Sequence, residues 1–200
     1  ALPISATENA NDNQPLNLGV TFSSSVSGYV TGVRFYKGSA NTGTHIASLW
    51  NSAGQSLAQA TFVGESASGW QQVSFAAPVA VVPGAIYTAS YLSTQGGYSA
   101  TQGYSWPAVA APLQGYSGTY AYSSASVMPT QTYASSNYWV DVVFVPAAGL
   151  RLGGASGHAR HEGGEQHQLD PMAHHAPSLE VLHGPADVVD IREVDHGVDA

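Results

Sequence analysis

An antiparallel, jelly-roll-like β-sandwich of about eight strands is the fold this sequence predicts for residues 1–146. Three observations carry that prediction. Val, Tyr, Phe, Thr and Trp recur in short runs separated by Gly, Ser, Asn and Pro. Several of these runs alternate with a period of two, the signature of half-buried strands. No stretch before residue 147 carries the apolar stripe of a helix.

The strands are expected near Leu16–Ser23, Tyr29–Tyr36, Ile46–Asn51, Leu57–Val63, Trp70–Phe75, Ile86–Leu92, Thr119–Ser123 and Tyr138–Val145. In the second of these, Tyr29, Thr31, Val33 and Phe35 fall on one face, with Arg34 and Tyr36 on the other. The third and fourth are joined by Asn51-Ser-Ala-Gly54, a hairpin-like connection. Ala58, Ala60 and Phe62 line up in the fourth. In the last, Tyr138, Val140, Val142 and Phe144 oppose Trp139, Asp141, Val143 and Val145. Both of its faces are largely apolar, which predicts a central position in a sheet. Trp50, Trp70 and Trp139 fall in strands and are expected in the core or on strand faces.

Residues 93–137 break the pattern. They are rich in Gly, Ser, Tyr and Pro, as in Gln95-Gly-Gly-Tyr98, Gly103-Tyr-Ser-Trp-Pro107 and Gln114-Gly-Tyr-Ser-Gly118, and read as a long loop region. From Ala147 the composition changes again. His45 is the only one of the eight histidines that precedes this point, and aromatic residues are absent after it. A His-, Asp- and Gly-rich segment of that kind buries little, so residues 147–200 are expected to be disordered or weakly docked. An out-of-frame extension is the other reading of this segment, and uniform codon usage across Pro146 would exclude it.

Composition narrows the function. Hydrophobic residues are 44% of the 200-residue chain, enough for a core, but charged residues are only 9%. A typical globular protein carries about 25%. Neutral polar surfaces of this kind are common in exported bacterial β-domains. There is no cysteine, which excludes disulfides, thiol catalysis and cysteine metal sites. Apolar runs stay far short of the roughly 20 residues that span a bilayer. No signal-peptide pattern opens the chain, and Ala1 is compatible with a processed terminus. Of the net charge of −8, residues 1–146 contribute only −2, from Arg34 and Lys37 against Glu8, Asp12, Glu65 and Asp141. Neither region has a basic patch, so nucleic acid is not expected as a partner.

Carboxylates, His45, aromatic rings and metal ligands are the candidate chemistry. Glycoside hydrolysis needs two carboxylates about 5–10 Å apart, and only Glu65 and Asp141 lie outside the N-terminal arm of the sandwich region. Asp141, inside an apolar strand, is better explained as a structural partner of Arg34, because an unpaired buried carboxylate is costly. His45 has no nucleophile elbow to serve and follows the Asn41-Thr-Gly-Thr44 turn, so it is read as a turn-stabilising group or a ligand contact. Aromatic rings are the strongest handle, because sugars pack their C–H faces on phenol and indole rings. Tyr98, Tyr104, Trp106, Tyr116, Tyr120 and Tyr122 cluster in or beside the long loop region. Trp106, before Pro107, is the ring most expected to be exposed. These rings either form a binding platform or simply cover an end of the sandwich. Asp12 and Asn13, within Asn9-Ala-Asn-Asp-Asn13, offer oxygens for a structural calcium. The histidines of the C-terminal segment offer adventitious metal affinity.

Five motifs in order carry a family resemblance: Gly28-Tyr-Val-Thr-Gly-Val-Arg-Phe-Tyr-Lys37, Asn41-Thr-Gly-Thr-His45 with Ser48-Leu-Trp50, Glu65-Ser-Ala-Ser-Gly-Trp-Gln-Gln-Val-Ser-Phe75, Tyr87-Thr-Ala-Ser-Tyr91 and Ser136-Asn-Tyr-Trp-Val-Asp-Val-Val-Phe144. Over about residues 2–146 the chain resembles the bacterial family catalogued as domain of unknown function 4082. The resemblance implies an exported β-sandwich module of large multidomain surface or extracellular proteins, with no catalytic residues to carry over. The expectation is therefore a non-catalytic module, extracellular or at the cell surface, without a membrane span. Its expected partners are a polysaccharide or surface glycan, met by Trp106, Tyr104, Tyr116, Tyr98 and His45, and the neighbouring domains of a larger protein. A purely structural spacer or adhesion domain is the alternative.

Overall fold

A computed structural model of the chain describes residues 7–147. The expectations placed on residues 148–200 lie outside the described residues. Eleven strands run in order: β1 Thr7–Asn11, β2 Leu16–Ser24, β3 Gly28–Lys37, β4 His45–Asn51, β5 Ser56–Thr61, β6 Gly69–Val81, β7 Tyr87–Ser93, β8 Gly97–Ala100, β9 Ala108–Ala110, β10 Leu113–Tyr122 and β11 Val140–Pro146. They form a six-stranded sheet of order β5-β4-β7-β2-β10-β9, a three-stranded sheet β11-β3-β6 and a two-stranded sheet β1-β8. All pairings are antiparallel. The chain passes repeatedly between the two larger sheets, which face one another as the jelly-roll-like sandwich predicted from the sequence.

Alternation explains the core. Leu16, Leu18, Val20 and Phe22 of β2, Ala47 and Leu49 of β4, and Ala89 and Tyr91 of β7 supply one wall. Val30, Val33 and Phe35 of β3 with Val140, Val142 and Phe144 of β11 supply the other. At the centre the Phe35 ring stacks on Tyr91 with centroids 4.1 Å apart and meets Phe62 edge-on at 4.9 Å.

Four expectations are corrected. Residues 93–137 are not one loop, since β8, β9 and all of β10 lie there. The last strand is not central: β11 is an edge of the three-stranded sheet. Its outward face is buried locally, with Asp141 directly opposite Arg34 in the ladder. Tyr29 and Thr31 do not share the face of Val33 and Phe35. The ladder slips by one residue at Thr31, between Val143 and Phe144 on the partner strand. Such a bulge reverses the alternation on one side of it. Val30 therefore turns inward and Tyr29 outward. The fourth correction, Trp106, belongs to the site below.

The outer face of the six-stranded sheet is covered too. Asn17 of β2 donates its amide to the Ala125 carbonyl and accepts the Val127 N–H. Tyr120 and Gln131 exchange both backbone hydrogen bonds. Segment 123–131 is thereby strapped across the face, which buries Asn17, Ser48, Thr88, Ser90 and Thr119.

Candidate functional site

Two polar clusters and one cleft gather the residues singled out from the sequence. The first cluster is closed. His45 is fully buried, with Nδ1 2.9 Å from Glu65 Oε1 and Nε2 2.8 Å from Asn41 Oδ1. Lys37 Nζ donates to Glu65 Oε2 at 2.7 Å, and Ser93 Oγ donates to Asn41 Oδ1 at 3.2 Å. Burial pushes the His45 pKa down, opposed by the hydrogen bond and charge of Glu65 and reinforced by Lys37. Three family motifs converge here to hold the Asn41–His45 turn, and the ring faces protein on all sides.

The second cluster is the Arg34–Asp141 pair anticipated from the sequence, with Nη2 to Oδ2 at 3.1 Å. The Arg34 guanidinium also lies 4.7 Å from the Trp70 ring centroid.

The cleft has a volume of about 390 Å³ and is lined by Asp12, Leu16, Leu18, Tyr98, Gln102, Tyr120, Tyr122, Tyr133 and Tyr138. Strand register explains its walls. Tyr120 and Tyr122 of β10 sit opposite Leu18 and Leu16 of β2, so all four share the inward face of the sheet. Tyr98 comes from β8, and Asp12 follows β1, tied down by its N–H to the Gly96 carbonyl. Tyr138 lies two residues before β11. Tyr133 stands at the rim, 59% exposed, on a turn in which Ala134 and Ser135 both have positive φ. Their carbonyls accept the N–H groups of Gly103 and Tyr104, which fixes that turn against the neighbouring loop.

Four of the rings form a chain. Tyr98 meets Tyr138 at 6.0 Å, Tyr138 meets Tyr120 at 6.4 Å and Tyr120 meets Tyr122 at 5.6 Å, all edge-to-face. Asp12 closes the circuit: Tyr98 Oη donates to Oδ1 at 3.1 Å and Tyr122 Oη to Oδ2 at 2.7 Å. These bonds hold the protons on both phenols. The Tyr122 pKa rises to about 12, chiefly through its hydrogen bond to Asp12. That of Tyr98 is raised by burial first and by Asp12 second, and burial likewise raises that of Tyr138.

Of the five ligand residues expected from the sequence, only Tyr98 lines this cleft. His45 is sealed in the first cluster. Tyr116 is 38% exposed but sits on the opposite face of β10, at a bulge, with its hydroxyl 2.7 Å from Ser23 Oγ. Tyr104 and Trp106 pack on each other at 4.9 Å and against the core. Trp106 is thus half-buried and not the exposed ring expected, because its indole finds apolar surface on that cluster. Among the described residues no group of three or more His, Asp or Glu gathers around Asp12 and Asn13. Both Asp12 oxygens instead accept tyrosine hydroxyls. Gln102, Tyr133 and Tyr138 were not foreseen as a site. The Tyr120-x-Tyr122 alternation was the one signal for the cleft wall.

A two-sheet antiparallel sandwich with a tyrosine-walled cleft and a single carboxylate defines a small all-β module. The chain belongs to the family Domain of unknown function (DUF4082), whose model matches residues 3–140. The match runs from β1 to the first residue of β11. Comparisons with curated proteins and with solved structures each found no match.

Proposed function

We propose that this domain is a non-catalytic carbohydrate-binding module of an exported bacterial protein, with the tyrosine cleft as its binding site. The observation that carries the reading is the cleft's lining: Tyr122 and Tyr133 are exposed, Tyr98 and Tyr120 half-buried, and Leu16, Leu18 and Tyr138 lie buried behind them, with Asp12, Gln102 and the hydroxyls as the polar groups of the side chains. Sugar rings pack apolar C–H faces on aromatic rings and direct hydroxyls to such rims. Asp12 is the only carboxylate in the lining. Hydrolysis of a glycosidic bond uses two, which supports binding without turnover. The low charge content, 9%, supports export.

A structural spacer or adhesion domain is the second reading. It is favoured by the closed Tyr–Asp circuit, which satisfies the Tyr98 and Tyr122 hydroxyls internally. Affinity electrophoresis of the full chain in gels containing a panel of polysaccharides separates the two. Retardation by at least one polysaccharide is expected. Tyr133→Ala should weaken it about tenfold with an unchanged melting temperature, since that ring is largely exposed. Free migration through the whole panel would leave the spacer reading standing.

A further inference from the structure

We propose that the cleft selects a glycan carrying an ammonium group, either the free amine of an amino sugar or a choline-type substituent. This rests on the carbohydrate-binding reading above and names the class of ligand.

The argument is one of charge and of donors against acceptors. The lining holds one carboxylate and no Lys, Arg or His. The described cations are engaged elsewhere: Arg34 with Asp141 and Lys37 with Glu65. Asp12 therefore has phenol hydroxyls but no countercharge among the described residues. Each of its oxygens accepts one O–H, and a carboxylate oxygen has a second lone pair to offer. The Tyr98 and Tyr122 hydroxyls, with their O–H groups directed at Asp12, offer a ligand only acceptor lone pairs. Apart from Gln102 and the remaining hydroxyls, the cleft is a surface of acceptors and negative ring faces. An N–H-rich or methylated cation fits it, by hydrogen bonding to Asp12 and by packing on the rings. A uronic acid or sulfated sugar would meet Asp12 with like charge. The net charge of residues 1–146 is −2, which favours a cation over an anion at longer range.

The test is isothermal titration of the full chain at pH 6 and low salt with three probes: a β-1,4-linked glucosamine pentamer, its fully N-acetylated counterpart and choline chloride. The free-amine pentamer is expected to bind at least about tenfold tighter than the acetylated one, with the difference shrinking in high salt. Asp12→Asn keeps an acceptor for only one of the two tyrosine hydroxyls and should abolish the difference between the two pentamers, with circular dichroism checking that the domain still folds. Competition by choline assigns the group to a quaternary substituent; its failure to compete assigns it to the free amine. Equal affinity for the two pentamers, or preference for the acetylated one, overturns the ammonium inference and leaves glycan binding in place. Binding of choline with neither pentamer retained supports the ammonium and overturns the glycan reading. Silence from all three probes, with neutral polysaccharides also inert, overturns both.

Discussion

His45 carries the clearest consequence of burial for a single side chain. A fully enclosed imidazole resists protonation, and its pKa lies below the ordinary 6.5. The unfolded chain takes up that proton near 6.5 while the folded chain does not, so the folded state is favoured fully above 6.5 and progressively less as pH falls below it. Urea midpoints measured from pH 7.5 down to pH 5 should fall more steeply for the natural chain than for His45→Gln, whose side chain cannot titrate. Parallel curves would mean that the attraction of Glu65 just offsets the cost of burying the charged ring. Residue-scale pairing was partly legible in advance. Asp141 in an apolar strand demanded a cation, and Arg34 supplies it. His45 could be tied to its turn, but Glu65 and Lys37 could not be foreseen around it, since they reach the ring from separate strands and turns.

Strands were legible where they alternate and illegible where their glycines serve a neighbour. All eight expected strands have a counterpart, with Ala58, Ala60 and Phe62 facing the core as read. The bulge at Thr31 was invisible because one unpaired residue leaves no mark in a run of Val, Thr and Tyr. Most of β10 read as loop for a related reason. Its Gly118 lies where a Cβ would collide with the Ser136 carbonyl oxygen, so the strand gives up a side chain to admit another backbone. Gly19 of β2 does the same beneath the strap. A Cβ there would stand 2.5 Å from the Ala89 oxygen and 3.1 Å from Pro129 Cγ. Gly19→Ala is therefore expected to destabilise the domain by about 2 kcal/mol, measured as a shift in the chemical-denaturation midpoint. A change below a few tenths would show that segment 123–131 lifts freely.

One hydrophobic cluster runs through both large sheets and takes in Tyr98, Tyr104, Trp106 and Tyr120 at its border. With a single core among the described residues, far-ultraviolet circular dichroism and aromatic fluorescence should trace one coincident unfolding transition. Separated midpoints would mean that the tyrosine end opens on its own. The cleft was only half legible because its parts come from far apart in the chain: a residue after β1, strands β2, β8 and β10, and the approach to β11. Composition located the tyrosines. Only the sheet order decides which of them meet.

Asp12 belongs to neither large sheet, yet both ends of the ring chain are fastened to it. It acts as a clasp that the chain's opening strand brings to a box whose other walls are laid down later in the sequence. The Asp12 segment must therefore wait, in a chain emerging in order, until Tyr98 and Tyr122 have been added. A guest of the proposed kind, bound only by the folded domain, would raise its resistance to unfolding according to how tightly it is held.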